Sequence, residues 1–248
     1  MATSEPVRYS DPHGRTLDRL PPAQRPQSRK FEGRFVAVQP LDYRRDAETL
    51  YAASHDAAGR EAIWKYLPYG PFTEEAFLSH LRAFNASADP CFYAITPLGS
   101  DGAKGMASLM SIEPLHGSIE IGHIMLGTPL QKTPAATEAL FLLMSHAMDD
   151  LGNRRLEWKC DATNEPSRQA ARRYGFAYEG TFAQHRIVKG RNRDTAWYSI
   201  LDHEWPAIRA CFEEWLNPSN FDGAGNQRTR LSDLTSRLRE PESHPRTT

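Results

Sequence analysis

At 248 residues, with 40% hydrophobic and 25% charged side chains, the chain can bury a substantial core, and one globular domain with tails is the simplest count. A formal net charge of -1 excludes a general nucleic-acid or membrane-surface binder, which needs a basic excess, so neither is an expected partner. Three scattered cysteines, Cys91, Cys160 and Cys211, have no metal or redox spacing; no metal is expected, and a reducing, cytoplasmic compartment fits best. The polar N-terminus has no apolar signal core, and no apolar run approaches the ~20 residues of a membrane span.

Residues 1–33 are rich in Pro, Arg and Ser and read as a flexible N-terminal arm. Residues 34–216 read as the folded domain. Residues 217–248 read as a flexible C-terminal tail with a weak helical pattern at Leu231, Leu234 and Leu238. Within the domain, Phe35–Val38 is a short strand and Asp42–Ser54 a helix with Leu50 and Tyr51 on its apolar side. Thr73–Asn85 starts at a Thr cap and spaces Phe77, Leu81 and Phe84 helically. Three strands follow, Cys91–Thr96, Gly105–Ile112 and Ser118–Leu126. The last shifts parity at Gly122 and His123, which predicts a bulge. Pro134–Leu151 is a helix with one apolar stripe. Leu156–Cys160 alternates as a strand, Glu165–Tyr174 is a short helix, and Gly175 stops it. Tyr178–Val188 and Thr195–Leu201 are strands around the turn KGRNRD, and Trp205–Leu216 is a final amphipathic helix. The sum is a mixed α/β (α+β) domain.

Two helix starts carry chemistry. At Gln131-Lys132-Thr133-Pro134-Ala135-Ala136-Thr137, Thr133 can cap and Pro134 suits the first helical position. Free N–H groups and the positive end of the helix dipole make a pyrophosphate site, with Lys132 adding charge and Ala135 and Ala136 letting a ligand approach. Alone, this segment favours a capped helix that binds nothing, as most capped helices do. Asn164 can cap the second helix, with Ser167 in its first turn near the end of the preceding strand.

In this order the fragments resemble the GNAT acyltransferase superfamily, and within it the branch of ribosomal-protein N-terminal acetyltransferases. The family's (Gln/Arg)-x-x-Gly-x-(Gly/Ala) loop reads Gln131 to Ala136, with Pro134 in place of the Gly and Glu138 seven beyond Gln131. Asn164-Glu165-Pro166-Ser167 with Gly175-Phe176, and the ending Gly190, Arg193-Asp194, Glu204-Trp205, are similar to the same branch. The resemblance covers roughly Phe35 to Trp205 and implies a mostly antiparallel twisted sheet of about seven strands, centrally splayed and flanked by helices. It also implies acetyl-CoA as cosubstrate. Ile124, Met125 and Leu126 would hold the pantetheine, residues 131–137 the pyrophosphate, and Asn164 and Ser167 would face the cofactor.

The resemblance further implies direct attack of an amine on the thioester. Many relatives carry a Tyr acid seven residues after the Asn; here that position is Ala171, and Tyr174 is expected in the core. Ser167 occupies the place to which the ribosomal branch gives the acid role. Candidates for the base are Glu120, His123 and His185, with water as a substitute. The loop Ala62–Phe72 is placed over the acceptor, so Trp64, Tyr66, Tyr69 and Phe72 are candidate substrate contacts, against the alternative of aromatics that pin a loop to the core. The basic residues Arg186, Lys189, Arg191 and Arg193 are set to meet an acidic substrate group or a CoA phosphate, or to be solvated. The expected activity is N-acetyl transfer to a primary amine, a small molecule or amino-acid derivative, with a peptide N-terminus as alternative acceptor. A non-catalytic acyl-CoA sensor is the rival. The last strands and helix offer apolar surface for a homodimer.

Overall fold

The structure, a computed structural model, describes residues 23–57 and 59–239. Its centre is an eight-stranded sheet: β1 (Phe31–Glu32), β2 (Val36–Pro40), β3 (Cys91–Pro97), β4 (Gly105–Glu113), β5 (Ser118–Leu126), β6 (Arg155–Asp161), β7 (Ala177–Val188) and β8 (Arg191–Leu201). The spatial order is β1-β2-β3-β4-β5-β6-β8-β7, antiparallel throughout except for the parallel pair β5–β6. That exception forces a crossover, which α4 (Pro134–Ser145) and a wide π-type turn (His146–Asp150) provide. The other helices are α1 (Tyr43–Ser54), α2 (Arg60–Trp64), α3 (Glu74–Asn85), α5 (Glu165–Arg173), α6 (Trp205–Leu216) and α7 (Leu231–Arg237).

Local chemistry explains several boundaries. Asp42 caps α1, Thr73 caps α3 and Thr133 caps α4, each side chain accepting from a backbone N–H of the first turn. Gly175, at φ 86, ends α5 and hands the chain to β7. The predicted bulge in β5 is present. Met106 faces Met125 and Ser108 faces Gly122, so His123 and Ile124 together oppose Ala107 alone, with His123 at φ 48.

Two cores sandwich the sheet. On one face, Ile119, Ile121, Leu156, Trp158, Tyr198 and Ile200 pack with Leu140, Leu143, Tyr174, Phe212 and Leu234 of the helices. On the other, Phe92, Ala94, Met106 and Met125 pack with Leu50, Trp64, Phe77 and Leu81. The second core spans only the β3–β5 half. The same face of β6–β8 carries Glu157, Lys159, Trp197 and Ser199 instead.

Parts of both presumed tails belong to the domain. Phe31 is buried in β1, adding an eighth strand, and Gln24 N–H bonds Leu151 C=O. Leu231 and Leu234 are buried in α7, and Thr235 bonds the Arg173 carbonyl. Residues 1–22 and 240–248 of the expected arm and tail lie outside the described residues. The hairpin turn is also tighter than the expected KGRNRD. Only Lys189 and Gly190 turn, both at positive φ, and β8 already begins at Arg191.

Candidate active site

β5 and β6 pair only from Ser118–Glu120 to Arg155–Glu157. Residues 121–126 and 158–161 then run on without pairing to each other, because the bulge at His123 bends β5 away. The splay opens a cleft of about 1860 Å³. The cleft extends from the start of α4 to the polar face of β6–β8.

Backbone polarity within the splay follows from register. Gly127 N–H bonds Lys104 C=O, so Met125, two residues back, falls in the next bonded pair with Met106. Ile124 and Leu126 have the other parity and turn their polar groups towards the opening. The Leu126 carbonyl there accepts from Gln131 Nε2 at 2.9 Å. Of the three expected pantetheine residues, Met125 therefore faces β4 with its backbone.

At the α4 end, Thr133 Oγ1 accepts from Ala136 N–H at 3.2 Å. The N–H groups of Lys132, Thr133 and Ala135 have no hydrogen-bond partner among the described residues, and Pro134 has none to satisfy. Lys132 sits at φ 60, which turns the loop back on itself. Thr137 Oγ1 accepts from Arg173 Nη1 at 3.1 Å, fixing that guanidinium beside the helix start. Gln131, Lys132, Thr133, Pro134, Ala136 and Thr137 line the cleft; Ala135 is buried beneath it. Glu138 points elsewhere, accepting the Arg34 and Phe35 N–H groups at 2.8 and 2.6 Å.

At the middle of the cleft, Asn164 Oδ1 caps α5 through Ser167 N–H at 3.2 Å. Ser167 Oγ accepts from Trp158 Nε1 at 3.0 Å. Its lone pair is engaged while its own hydrogen can donate. Ala171 is fully buried, and Tyr174 is buried among Trp158 and Phe212, as the spacing predicted.

Three candidates for the base have different surroundings. Glu120 is only 7% exposed, accepts from Ser111 Oγ, and pairs with Lys159 at 2.9 Å. It is therefore not the solvated carboxylate that an outward position suggests. Burial raises its pKa and Lys159 opposes the shift. His123 stacks on Tyr69, and its Nδ1 lies 2.9 Å from the Tyr69 hydroxyl. Burial keeps that phenol protonated, so it donates and leaves the hydrogen of His123 on Nε2. His185 Nδ1 meets Thr195 Oγ1 at 2.9 Å. All three line the cleft, with Ser167.

Burial, then the charges of His80 and Arg193, lower the pKa of His123 to about 4, against an ordinary value of 6.5. Between those values the native protein binds fewer protons than the unfolded chain, so stability is lost as pH falls through the window. From pH 7 to 4.5 this one group is expected to account for about 2–3 kcal/mol of lost stability. Urea midpoints of wild type and His123→Gln at the two pH values check it. A parallel acid loss in both proteins contradicts it.

The aromatic loop divides. Tyr66 lines the cleft and its hydroxyl donates to the Thr163 carbonyl at 3.0 Å, across the mouth. Trp64, Tyr69 and Phe72 do not line it. Trp64 donates to the Ser54 carbonyl at 2.9 Å, Phe72 N–H bonds His55, and the three rings pack on one another beside Phe77 and His80. These three aromatics pin the loop to the core, where apolar rings have partners on every side.

Residues 36–177 match the acetyltransferase (GNAT) domain family. A GCN5-related N-acetyltransferase from Brucella melitensis has a crystal structure that superposes with TM-score 0.86 at 43% identity, covering 89% of this chain and 100% of that one. The chain belongs to the GNAT acetyltransferase family. The Bacillus subtilis (strain 168) protein YdaF, provisionally named a ribosomal N-acetyltransferase, is 30% identical over 101 residues, 41% of this chain and 55% of that protein. The acetyltransferase of Salmonella typhimurium that modifies the N-terminal serine of ribosomal protein L7/L12 shares the fold, with TM-score 0.58 at 21% identity over 68% of this chain and 96% of that one.

The GNAT family uses acetyl-CoA, and this cleft fits it: unpaired N–H groups at a helix start suit a pyrophosphate, and an open strand edge suits the pantetheine amides. Sequence reasoning missed Arg228 and Arg230, which line the cleft together with Arg173. The basic run Gln227-Arg228-Thr229-Arg230, inside a segment otherwise suited to a linker, was the available signal.

Proposed function

We propose that the protein is an acetyl-CoA-dependent N-acetyltransferase acting on a primary amine, with a small molecule or amino-acid derivative as acceptor. The splay between β5 and β6 carries this reading, because it leaves one strand's polar edge facing a helix start with free N–H groups. Acetyl-CoA supplies the activated acetyl group. The N–H groups of Ile124 and Leu126 are placed to hold the pantetheine side and polarise the thioester carbonyl. Ser167 donates a hydrogen bond to the departing sulfur. The amine proton passes to a base on the acceptor side, and His185 suits this role best. Its Nε2 has no partner among the described residues, whereas Glu120 is ion-paired and His123 is a donor. Burial and then Arg186, Arg193 and Lys159 depress His185, keeping it neutral and able to accept.

Incubation with acetyl-CoA and a panel of amines, reading free thiol, tests the reading. Amine-dependent thiol release is the expected result; acetyl-CoA binding with no release on any amine favours the sensor. Ser167→Ala is expected to lower kcat roughly 10- to 100-fold, with the Kd for acetyl-CoA within about threefold. An unchanged kcat removes Ser167 from the mechanism.

A further inference from the structure

The acceptor half of the cleft contains an unmatched cation. Arg193 lies on β8 with Thr195 and Trp197 on the same face, since successive side chains of a strand alternate. Arg193 Nε and Trp197 Nε1 are both buried and neither has a hydrogen-bond partner among the described residues. Both residues line the cleft. Buried polar groups are nearly always partnered, so an unpartnered guanidinium N–H on the cleft face of β8, with a second unpartnered donor four residues and ~13 Å further along that face, points to something that accepts from it.

The carboxylates nearby are engaged elsewhere. Lys159 holds Glu120 at 2.9 Å and Glu157 at 2.7 Å while its ammonium stands 4.1 Å from the Trp197 ring centroid. Arg155 takes Glu157 and Glu179. Asp194 turns to the Gln184 N–H and the Asn192 amide. Arg193 has no ion pair among the described residues, although it is close enough to both candidate histidines to depress them. In His123 it acts after burial and His80, and in His185 after burial and Arg186. Arg193 lines the same cleft as His123 of β5 and His185 of β7.

We propose that the acceptor amine carries a carboxylate, and that Arg193 binds it as the specificity-determining residue of the site. This rests on the acetyl-transfer reading. The substrate class is then an amino carboxylate. A free amino acid and an acidic residue near a peptide's N-terminus both supply that chemistry.

The test compares thiol release with glutamate, with its diamide, and with C-terminally amidated peptides bearing Glu or Gln at the second position. Wild type is expected to favour a carboxylate over its amide roughly 100-fold in kcat/KM, the scale for breaking a buried charge pair. The pair that shows the preference, free amino acid or peptide, names the source. In Arg193→Gln the ratio collapses towards one, and Arg193→Lys recovers part of it. Equal rates for carboxylate and amide in wild type overturn the proposal, as does a fall in Arg193→Gln that is the same for both. A second readout is independent of turnover. Calorimetric titration of glutamate and of the Glu peptide into the protein with CoA present is expected to show saturable binding of at least one, abolished in Arg193→Gln. Such binding without thiol release on any amine would sink acetyl transfer and leave the carboxylate site standing; no binding of either sinks the site.

Discussion

Trp64→Ala is expected to cost about 3–5 kcal/mol of folding stability, the range for removing a large buried aromatic side chain. The indole is 1% exposed and meets His55, Tyr69, Phe72 and Phe77 edge-on or tilted. Its N–H bonds the Ser54 carbonyl, so truncation also orphans a buried acceptor at the end of α1. Gly70 lies against the ring so closely that an added Cβ would stand 2.5 Å from it. Removing the indole therefore takes away the floor of the whole 60–72 loop. Urea denaturation should show the midpoint falling with little change in slope. Unchanged stability with a raised KM for the amine would return Trp64 to the acceptor site.

Lys132→Glu is expected to weaken acetyl-CoA binding roughly 10- to 100-fold at low salt, and much less at 1 M salt. The side chain is exposed, so folding should change by less than about 0.5 kcal/mol. The effect is electrostatic. The α4 start presents unpaired N–H groups and a positive dipole end, and the substitution places a negative charge beside them. Calorimetric titration of acetyl-CoA at two ionic strengths measures it. A Kd within twofold of wild type at low salt contradicts a phosphate site at this loop.

What could be read from the chain was local. Thr133-Pro134 announced a capped helix start, because capping chemistry lies within four residues. The parity shift at Gly122–His123 announced the bulge. Strand β1 and helix α2 have two and five residues, too short for periodicity or propensity to mark, and are held by what they pack against; the spacing of Leu231 and Leu234 marked helix α7 but not its packing onto the domain. The first residues of β8 are charged and looked like turn, yet Arg191–Arg193 pair with Val188–Arg186 at the sheet edge.

The site divides the same way. Ser167 and Asn164 were placed by their helix start. For Trp64, Tyr69 and Phe72 the sequence left substrate contact and loop pinning both open, because loop side chains have no periodicity that reveals where they point; their packing on Phe77 and His80 takes the pinning alternative. The pairing of Glu120 with Lys159 depends on the register of β5 against β6, which sequence spacing does not encode. Arg193 sat in view among the basic residues of the hairpin. Only the sheet separates it from its exposed neighbours Arg186 and Arg191.

The central claim is that the gap between β5 and β6 is where the acetyl thioester is held. A crystal structure with acetyl-CoA tests it most directly. The expected density runs from the Lys132–Ala136 backbone into the splay, with the thioester carbonyl on an N–H of Ile124 or Leu126 and the sulfur near Ser167 Oγ. Acetyl-CoA bound with its thioester outside the splay, or an N–H edge of β5 closed onto β6, would contradict it.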